Sequence, residues 1–403
     1  MKHLIILGDG MADEPIESLG GKTPLMAANT PTLDFLASKS RLGTLVTTPE
    51  GYEPGSEIAH LSLLGYDVPK VFEGRGSLEA ASMGVDIEPG EMAMRCNIIC
   101  IENGKIKNHS AGNITTEEAD ILIKYLNDNI GEETARFFTG ISYRHLLKIR
   151  GANKNIICTP PHDVPGTPFR DCLVKAKNAE GEATTKLINK LILRSQELLA
   201  NHPVNLARIA RGEDPANSIW PWSPGYKPSM ETLADKFGIK NGAVISAVDL
   251  IKGIGVYCGL KQIEVEGATG LWNTNYEGKA DAAIKALKDG ADFVFLHIEA
   301  SDEAGHEGDA NLKVKTVEYL DERVCRRILD ALPEIGEPVA IAVLPDHPTP
   351  CAKRTHSATP VPVMIYVPGV ESDGIKQYNE ETALSGSLGT MTNDDFIKVF
   401  LSK

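Results

Sequence analysis

The sequence lacks several features that would assign it to a common class of protein. No apolar run approaches the roughly 18 residues of a membrane-spanning helix, so no membrane partner is expected. The short apolar run near the start is followed by no small-residue cleavage site, so we expect no secretion signal and a cytoplasmic location. Acidic residues outnumber basic ones, and the formal charge of -14 argues against non-specific nucleic-acid binding.

Paired cysteines and a nucleotide-binding loop are also missing. The seven cysteines are scattered and include no C-x-x-C pair, which indicates free thiols rather than a disulfide framework or a thiolate zinc site. No Gly-x-x-x-x-Gly-Lys-Ser/Thr loop occurs, which disfavours a conventional nucleotide-dependent kinase. The negative charge does not exclude an anionic substrate, because metal ions and arginines can reverse the potential in one cleft.

What the sequence does contain is an alternation of short apolar strands and helices. Its 403 residues suggest about two domains. Candidate strands cover residues 2–7, 43–47, 243–247, 293–298, 339–344 and 361–367, and candidate helices cover residues 31–39, 57–64 and 276–288. The alternation predicts an α/β fold with a mostly parallel sheet flanked by helices. In such sheets ligands bind at the carboxyl ends of the strands.

The middle of the chain differs in character and predicts an inserted domain. Residues 95–101 and 143–149 are candidate strands, and residues 115–127 and 186–200 are candidate helices. The prolines of residues 220–225 indicate a hinge or interdomain turn, after which the α/β alternation resumes. We therefore predict a discontinuous core of residues 1–71 and 216–403, with a smaller α/β domain of residues 72–215 inserted between them.

Six side chains that can bind metal follow three of these candidate strands. They are Asp9 after residues 2–7, Asp302 and His306 after residues 293–298, and Asp346, His347 and His356 after residues 339–344. Taken singly, each has an ordinary explanation as a turn, capping or surface residue. Together, oxygen and imidazole ligands at the ends of strands predict a two-metal phosphoryl-transfer site, suited to Mn or Zn with Mg and Co as alternatives.

Ser56 is the candidate nucleophile. It stands between Gly55 and Glu57, just before a predicted helix. A serine hydroxyl is not ionised at neutral pH, but a coordinated metal can activate it. The following helix would direct its N-terminus toward a bound phosphate. A serine that only caps this helix is the alternative interpretation.

These residues resemble the alkaline phosphatase superfamily and, more closely, the archaeal-type cofactor-independent (2,3-bisphosphoglycerate-independent) phosphoglycerate mutases. The similar stretches occur in family order at residues 8–13, 54–67, 73–76, 267–270, 301–309, 346–347 and 354–356. The resemblance implies an alkaline-phosphatase-like core and an inserted domain that closes over the substrate. It also implies that 3-phosphoglycerate and 2-phosphoglycerate interconvert, in glycolysis, through a transient phosphoserine at Ser56.

The resemblance further implies how two divalent metal ions are shared among the ligands. One ion would be held by Asp302, His306 and His356, and the other by Asp9, Ser56, Asp346 and His347. This division is an expectation from the family.

A small anionic phosphorylated substrate needs cationic partners, and arginine suits it because its planar fork binds oxygens in pairs. The candidates, all within residues 72–215, are Arg95, Arg144 and Arg75, followed by His109, His145 and His162. Each histidine could equally be a surface or structural residue. Lys279 fits an exposed lysine on a helix better than a ligand.

Three departures from the family pattern leave the predicted metal ligands intact and bear on which substrate the protein uses. Glu57 stands where the family usually has Asp, Pro345 where it has Gly, and Thr359 where it has Asp. The run at residues 344–350 resembles a sub-branch proposed to act as homoserine kinases. The alternative function is therefore a homoserine kinase-like phosphotransferase of threonine biosynthesis.

Overall fold

The computed structural model describes residues 1–402, which divide into two compact units. Unit 1 comprises Met1–Phe72 and the residues from Ser229 onward, and unit 2 comprises Glu73–Pro228. Within the described residues, no helix has both the length and the apolar character required to cross a membrane.

The elements are numbered in chain order. Residues 1–402 form the strands β1 (Lys2–Gly8), β2 (Arg41–Leu45), β3 (Glu91–Glu102), β4 (Lys105–Asn108), β5 (Ala135–Phe138), β6 (Arg144–Arg150), β7 (Ile156–Ile157), β8 (Lys175–Ala176), β9 (Ser218–Gly225), β10 (Gly242–Ile245), β11 (Lys261–Gln262), β12 (Phe293–Ile298), β13 (Val339–Leu344), β14 (Val361–Tyr366) and β15 (Gly389–Met391). The α-helices are α1 (Pro24–Ala27), α2 (Pro31–Ala37), α3 (Ser56–Leu63), α4 (Val68–Val71), α5 (Arg75–Ser82), α6 (Thr116–Asn129), α7 (Glu182–Leu199), α8 (Pro203–Ala210), α9 (Leu233–Phe237), α10 (Asp249–Tyr257), α11 (Tyr276–Lys288), α12 (Ala300–Glu307), α13 (Ala310–Tyr319), α14 (Arg326–Ala331), α15 (Glu380–Ala383) and α16 (Asp395–Leu401).

Unit 1 is built on an eight-stranded sheet in the order β11-β10-β12-β1-β13-β14-β2-β15. Only β14 runs antiparallel to its neighbours among these described strands. The strands β1, β12 and β13 are apolar and buried on both faces, as strands in the middle of a parallel sheet must be. The hydrophobic core beneath them includes Leu4, Leu296 and Ile341 with Tyr276 from α11. The predicted α/β fold with a mostly parallel sheet is confirmed.

Unit 2 contains an antiparallel sheet, unlike the parallel sheet of unit 1. Its strands follow the order β4-β3-β6-β5, and β9 pairs with β3 as well. The core of this unit packs Leu122 and Leu126 of α6 and Ile188 and Leu191 of α7 with the apolar side chains of the sheet. Thr115 caps α6, because its hydroxyl accepts the backbone N–H of Glu118.

The interpretation of residues 220–225 as a hinge or turn was wrong, because they form most of strand β9. Pro221 and Pro224 pair with Cys96 and Met94 of β3. In the described sheet, β9 has β3 as its only strand neighbour. Each proline nitrogen, which has no hydrogen to donate, can therefore face the unpaired side of β9 without loss of a hydrogen bond to β3. Unit 2 therefore extends to Pro228, beyond the sequence-based limit at residue 215.

Candidate active site

The carboxyl ends of β1, β12 and β13 meet in unit 1 because β1 lies between the other two strands and parallel to both. Asp9 follows β1 directly, and Asp346 follows β13 after one proline. The helix α12 begins two residues after β12 and carries Asp302 and His306, whose spacing of four puts both on one face. The sheet order thus gathers the predicted ligands at one edge.

The first group of ligands lies around Asp302. Ligand atoms of Asp302, His347 and His356 all lie within 4.8 Å of one another. The Nε2 atom of His306 is 3.3 Å from Asp302 Oδ2 and 3.0 Å from His356 Nε2. Burial opposes ionisation of Asp302, yet hydrogen bonds from His306 and His356 hold its pKa well below the usual range. The hydrogen bond to Asp302 raises the pKa of His306 to about 9.

The second group lies beside it and adjoins Ser56. Ligand atoms of Asp9, Asp346 and His347 lie within 4.8 Å of one another. The hydroxyl oxygen of Ser56 is 3.2 Å from His347 Nε2. Gly55, not Ser56, occupies the N-cap position of α3, so the Ser56 side chain is not used as the cap of this helix. The structure therefore brings all seven predicted metal-site residues into two adjoining groups.

The second group has the donor set of a cation site. Among the described residues, Asp9 Oδ1 and Asp346 Oδ2 are buried oxygens without a hydrogen-bond partner. Their other oxygens are held: Asp9 Oδ2 lies 2.9 Å from His297 Nε2, and Asp346 Oδ1 accepts the N–H groups of Gly10 and His347. Burial and the charge of Asp346 raise the pKa of Asp9. Unpaired carboxylate oxygens beside an imidazole fit a divalent cation, which would offset the penalty of burying them.

Sequence reasoning missed the buried His297, the partly buried Glu299 and the burial of Lys279. His297 contacts Asp9, and ligand atoms of Asp9, His297 and Glu299 form a third close group. The expectation of an exposed Lys279 was wrong: the side chain is 0% exposed, donates to the His297 carbonyl at 3.2 Å, and burial lowers its pKa to about 8. Two signals were available, because His297 interrupts an apolar strand and Lys279 shares the buried face of α11 with Tyr276.

Unit 2 gathers five of the six predicted substrate-binding residues. The guanidinium of Arg95 lies 4.2 Å from the centre of the Trp222 ring and pairs with Glu79. Burial and the neighbouring Arg75 and Arg144 guanidiniums lower the pKa of Arg95. The ring of His162 contacts both Trp222 and His109, with centroid distances of 5.2 and 6.0 Å. A cluster of like charges that depresses a pKa is suited to an anionic ligand.

His145 is the exception among these candidates. Its neighbour Arg144 is exposed, but His145 is 2% exposed because successive residues of β6 point to opposite faces. Its Nδ1 atom accepts the backbone N–H of Gly140. Burial lowers its pKa to about 4, so the ring is neutral. The structure therefore gives His145 a structural position, apart from the arginines.

Comparison with known proteins shows the family of the chain. A family model described as 2,3-bisphosphoglycerate-independent phosphoglycerate mutase matches residues 37–205. A Methanosarcina acetivorans protein named 2,3-bisphosphoglycerate-independent phosphoglycerate mutase is 48% identical over 399 residues, which is 98% of each chain.

Two solved structures also resemble the chain. A Pyrococcus horikoshii protein matches with a TM-score of 0.83 and 31% identity, covering 100% of this chain and 98% of that one. The cofactor-independent phosphoglycerate mutase of Thermoplasma acidophilum matches with a TM-score of 0.68 and 28% identity, covering 100% and 99%. The chain therefore belongs to the family of 2,3-bisphosphoglycerate-independent phosphoglycerate mutases.

Proposed function

We propose that this protein interconverts 3-phosphoglycerate and 2-phosphoglycerate by transient phosphorylation of Ser56. The observation that carries the proposal is the Ser56 hydroxyl, 3.2 Å from His347 Nε2, at the edge of a group whose buried Asp9 and Asp346 each have one oxygen without a hydrogen-bond partner. Membership of the mutase family supports the same reaction. The location proposed for this activity is the cytoplasm, where glycolysis supplies phosphoglycerates.

The proposed cofactors are two divalent ions, Mn or Zn, with Mg and Co as alternatives. The residues that would hold them are Asp302, His306 and His356 for one ion, and Asp9, Ser56, Asp346 and His347 for the other. Bound there, such ions lower the pKa of a coordinated hydroxyl and polarise phosphoryl oxygens.

The chain's own groups account for the rest of the reaction. The Ser56 hydroxyl loses its proton as its oxygen attacks the phosphorus of the substrate, the bond from phosphorus to the glycerate oxygen breaks, and that oxygen takes up a proton to become a hydroxyl. At the start of α3, the N–H groups of Ile58 and Ala59 donate to the Gly55 carbonyl, whereas those of Ser56 and Glu57 precede the first helical hydrogen bond and favour a phosphate held on Ser56. Arg75, Arg95 and Arg144 bind the anionic groups of the substrate. The other glycerate hydroxyl then attacks the phosphoserine, which returns the phosphate.

Homoserine phosphorylation is not favoured as an alternative. The relatives that cover nearly the whole chain are named as mutases, and no nucleotide-binding loop occurs in the sequence. The run at residues 344–350, in which Pro345 replaces the usual glycine, leaves the hydrogen bonds of Asp346 with Gly10 and His347 in place. These residues therefore give no separate support to a kinase.

A direct assay tests the proposed reaction. Protein reconstituted with Mn²⁺ is given 3-phosphoglycerate without 2,3-bisphosphoglycerate, and products are followed by ³¹P NMR. We expect 2-phosphoglycerate to form, and we expect Ser56→Ala to lose this activity while it keeps its fold. An unchanged rate in Ser56→Ala would remove the proposed nucleophile. Failure on phosphoglycerate together with phosphorylation of homoserine would overturn the substrate assignment.

A further inference from the structure

A buried hydroxyl lies between the two groups of ligands. The Oγ1 atom of Thr349 is 2.5 Å from Asp302 Oδ1 and 3.3 Å from His347 Nδ1, and these two residues are proposed ligands of different ions. Thr349 is fully buried. It therefore contacts a proposed ligand of each ion without being a ligand itself.

The number of available protons fixes the direction of these two hydrogen bonds. The hydroxyl has one proton, and an ionised carboxylate can only accept, so the Thr349 hydroxyl donates to Asp302 Oδ1. The contact with His347 must then use the Nδ1–H group of the ring as the donor. A neutral His347 that carries its proton on Nδ1 has its lone pair on Nε2, the atom near Ser56 and Asp346.

The backbone of Thr349 is held independently of its side chain. Its N–H donates to the Ala12 carbonyl at 3.2 Å, and its carbonyl accepts from Lys313 Nζ at 2.8 Å. Two glycines leave room for the side chain: a Cβ atom at Gly10 would lie 2.5 Å from Thr349 Oγ1, and one at Gly305 would lie 2.8 Å from its methyl carbon. Removal of the hydroxyl should therefore leave the loop in place.

We propose that Thr349 is a positioning residue that joins the two proposed metal sites. Its hydroxyl orients the Asp302 carboxylate and, as the acceptor for Nδ1–H, keeps the Nε2 lone pair of His347 directed into the site. Outer partners of this kind commonly tune metal affinity because they fix the orientation and tautomer of a ligand. The inference rests on the cation binding in the proposed function, and it adds a residue that controls that binding.

Metal titration of the chelator-stripped full chain tests this role without an activity assay. Thr349→Val keeps the shape of the side chain and removes the hydroxyl, whereas Thr349→Ser keeps the hydroxyl and removes a methyl. By calorimetry, we expect Thr349→Val to bind Mn²⁺ about 10- to 100-fold more weakly than wild type, and Thr349→Ser to bind nearly as wild type does. Thr316→Val is the matched control, because Thr316 is buried in α13 and its hydroxyl donates only to the Lys313 carbonyl.

The titration separates this inference from the proposed function. Wild-type protein that binds no Mn²⁺ would remove the proposed cation binding, and the role of Thr349 with it. Wild-type binding with equal affinity in Thr349→Val would overturn the role of Thr349 alone. Weaker binding in Thr349→Ser and Thr316→Val as well would also overturn it, because packing would then explain the loss.

A spectroscopic measurement tests the hydrogen bond itself. In Zn²⁺-loaded protein with ¹⁵N-labelled histidine, we expect a slowly exchanging imidazole N–H signal that disappears in His347→Gln. The signal should persist in Thr349→Ser and exchange faster in Thr349→Val, or in Thr349→Ala if the valine variant does not fold. Absence of a protected His347 N–H in the wild type would overturn the inference without any Thr349 variant.

Discussion

The two units differ in what their buried charges contact. In unit 1, the acidic atoms Asp9 Oδ1, Glu299 Oε2 and Asp346 Oδ2 are buried without a hydrogen-bond partner among the described residues. In unit 2, the half-buried acids Glu79 and Glu118 pair with arginines. The buried carboxylates of unit 1 therefore favour a bound cation, whereas the cluster of Arg75, Arg95 and Arg144 in unit 2 favours a bound anion.

Each unit also contains a buried cation that holds loops together, and in unit 1 these are the loops that carry metal-ligand candidates. In unit 1, Lys313 donates to the Ala12 carbonyl, to Asp13 Oδ2 and to the Thr349 carbonyl. These contacts join the loop after β1 to the loop after β13, the two loops that carry Asp9 and His347. In unit 2, Arg208 donates to the Ala111 and Asp214 carbonyls and to Glu118.

The largest effect is expected from removing these two cations. Lys313→Met should destabilise unit 1 by about 3–5 kcal/mol, because it leaves the buried Asp13 carboxylate without its cation. Arg208→Met should destabilise unit 2 less, because Glu118 is partly exposed and keeps its pair with Arg211. Lys313→Met should also weaken Mn²⁺ binding, whereas Arg208→Met should leave it unchanged. Urea unfolding followed by hydrogen exchange of each unit, with calorimetric Mn²⁺ titration, measures both effects. Equal losses of Mn²⁺ affinity in the two variants would contradict the expectation that only Lys313 supports metal binding.

Metal removal should affect unit 1 alone. At 100 to 1,000 times the dissociation constant, a bound ion stabilises the folded state by about 2.7–4.1 kcal/mol. After chelation we expect faster hydrogen exchange in the segments after β1, β12 and β13, and restoration on adding Mn²⁺. Unit 2 serves as the internal control, and an equal change in its strands would contradict the assignment of the ions to unit 1.

A smaller effect is expected from the exposed arginine of unit 2. Arg144→Gln removes a charged donor from the arginine cluster. Because a charged hydrogen bond is worth about 1.5–3 kcal/mol, kcat/KM for 3-phosphoglycerate should fall by roughly 10- to 100-fold. Most of this fall should come from a higher KM. Arg136→Gln is the matched control, because Arg136 is an exposed arginine of β5 in the same sheet. A similar rise of KM in both variants would indicate a general charge effect instead.

The sequence predicted the parts of the site that obey simple patterns. Apolar runs that end in Asp9 or shortly before Asp346 indicate buried parallel strands with ligands at their carboxyl ends, and the structure has this arrangement. Alternation along β6 could also have separated Arg144 from His145, because adjacent residues of a strand face opposite sides.

The remaining features depend on tertiary contacts that a local sequence pattern does not predict. Lys313 is buried because carbonyls and a carboxylate from distant loops surround it, and the sequence of its own helix does not indicate these contacts. Thr349 contacts Asp302 only because Gly10 and Gly305 allow a close approach. The prolines of β9 were mistaken for a turn because the edge position of that strand is a property of the sheet.

Anomalous X-ray diffraction from Zn²⁺-loaded crystals tests most directly whether the gathered side chains hold cations beside Ser56. We expect two peaks, with ligand distances of about 2.0–2.2 Å. One peak should lie among Asp302, His306 and His356, and the other between Asp346 and His347 next to the Ser56 hydroxyl. Fully loaded crystals with no peak at these side chains, or with peaks only elsewhere on the protein, would contradict the proposed site.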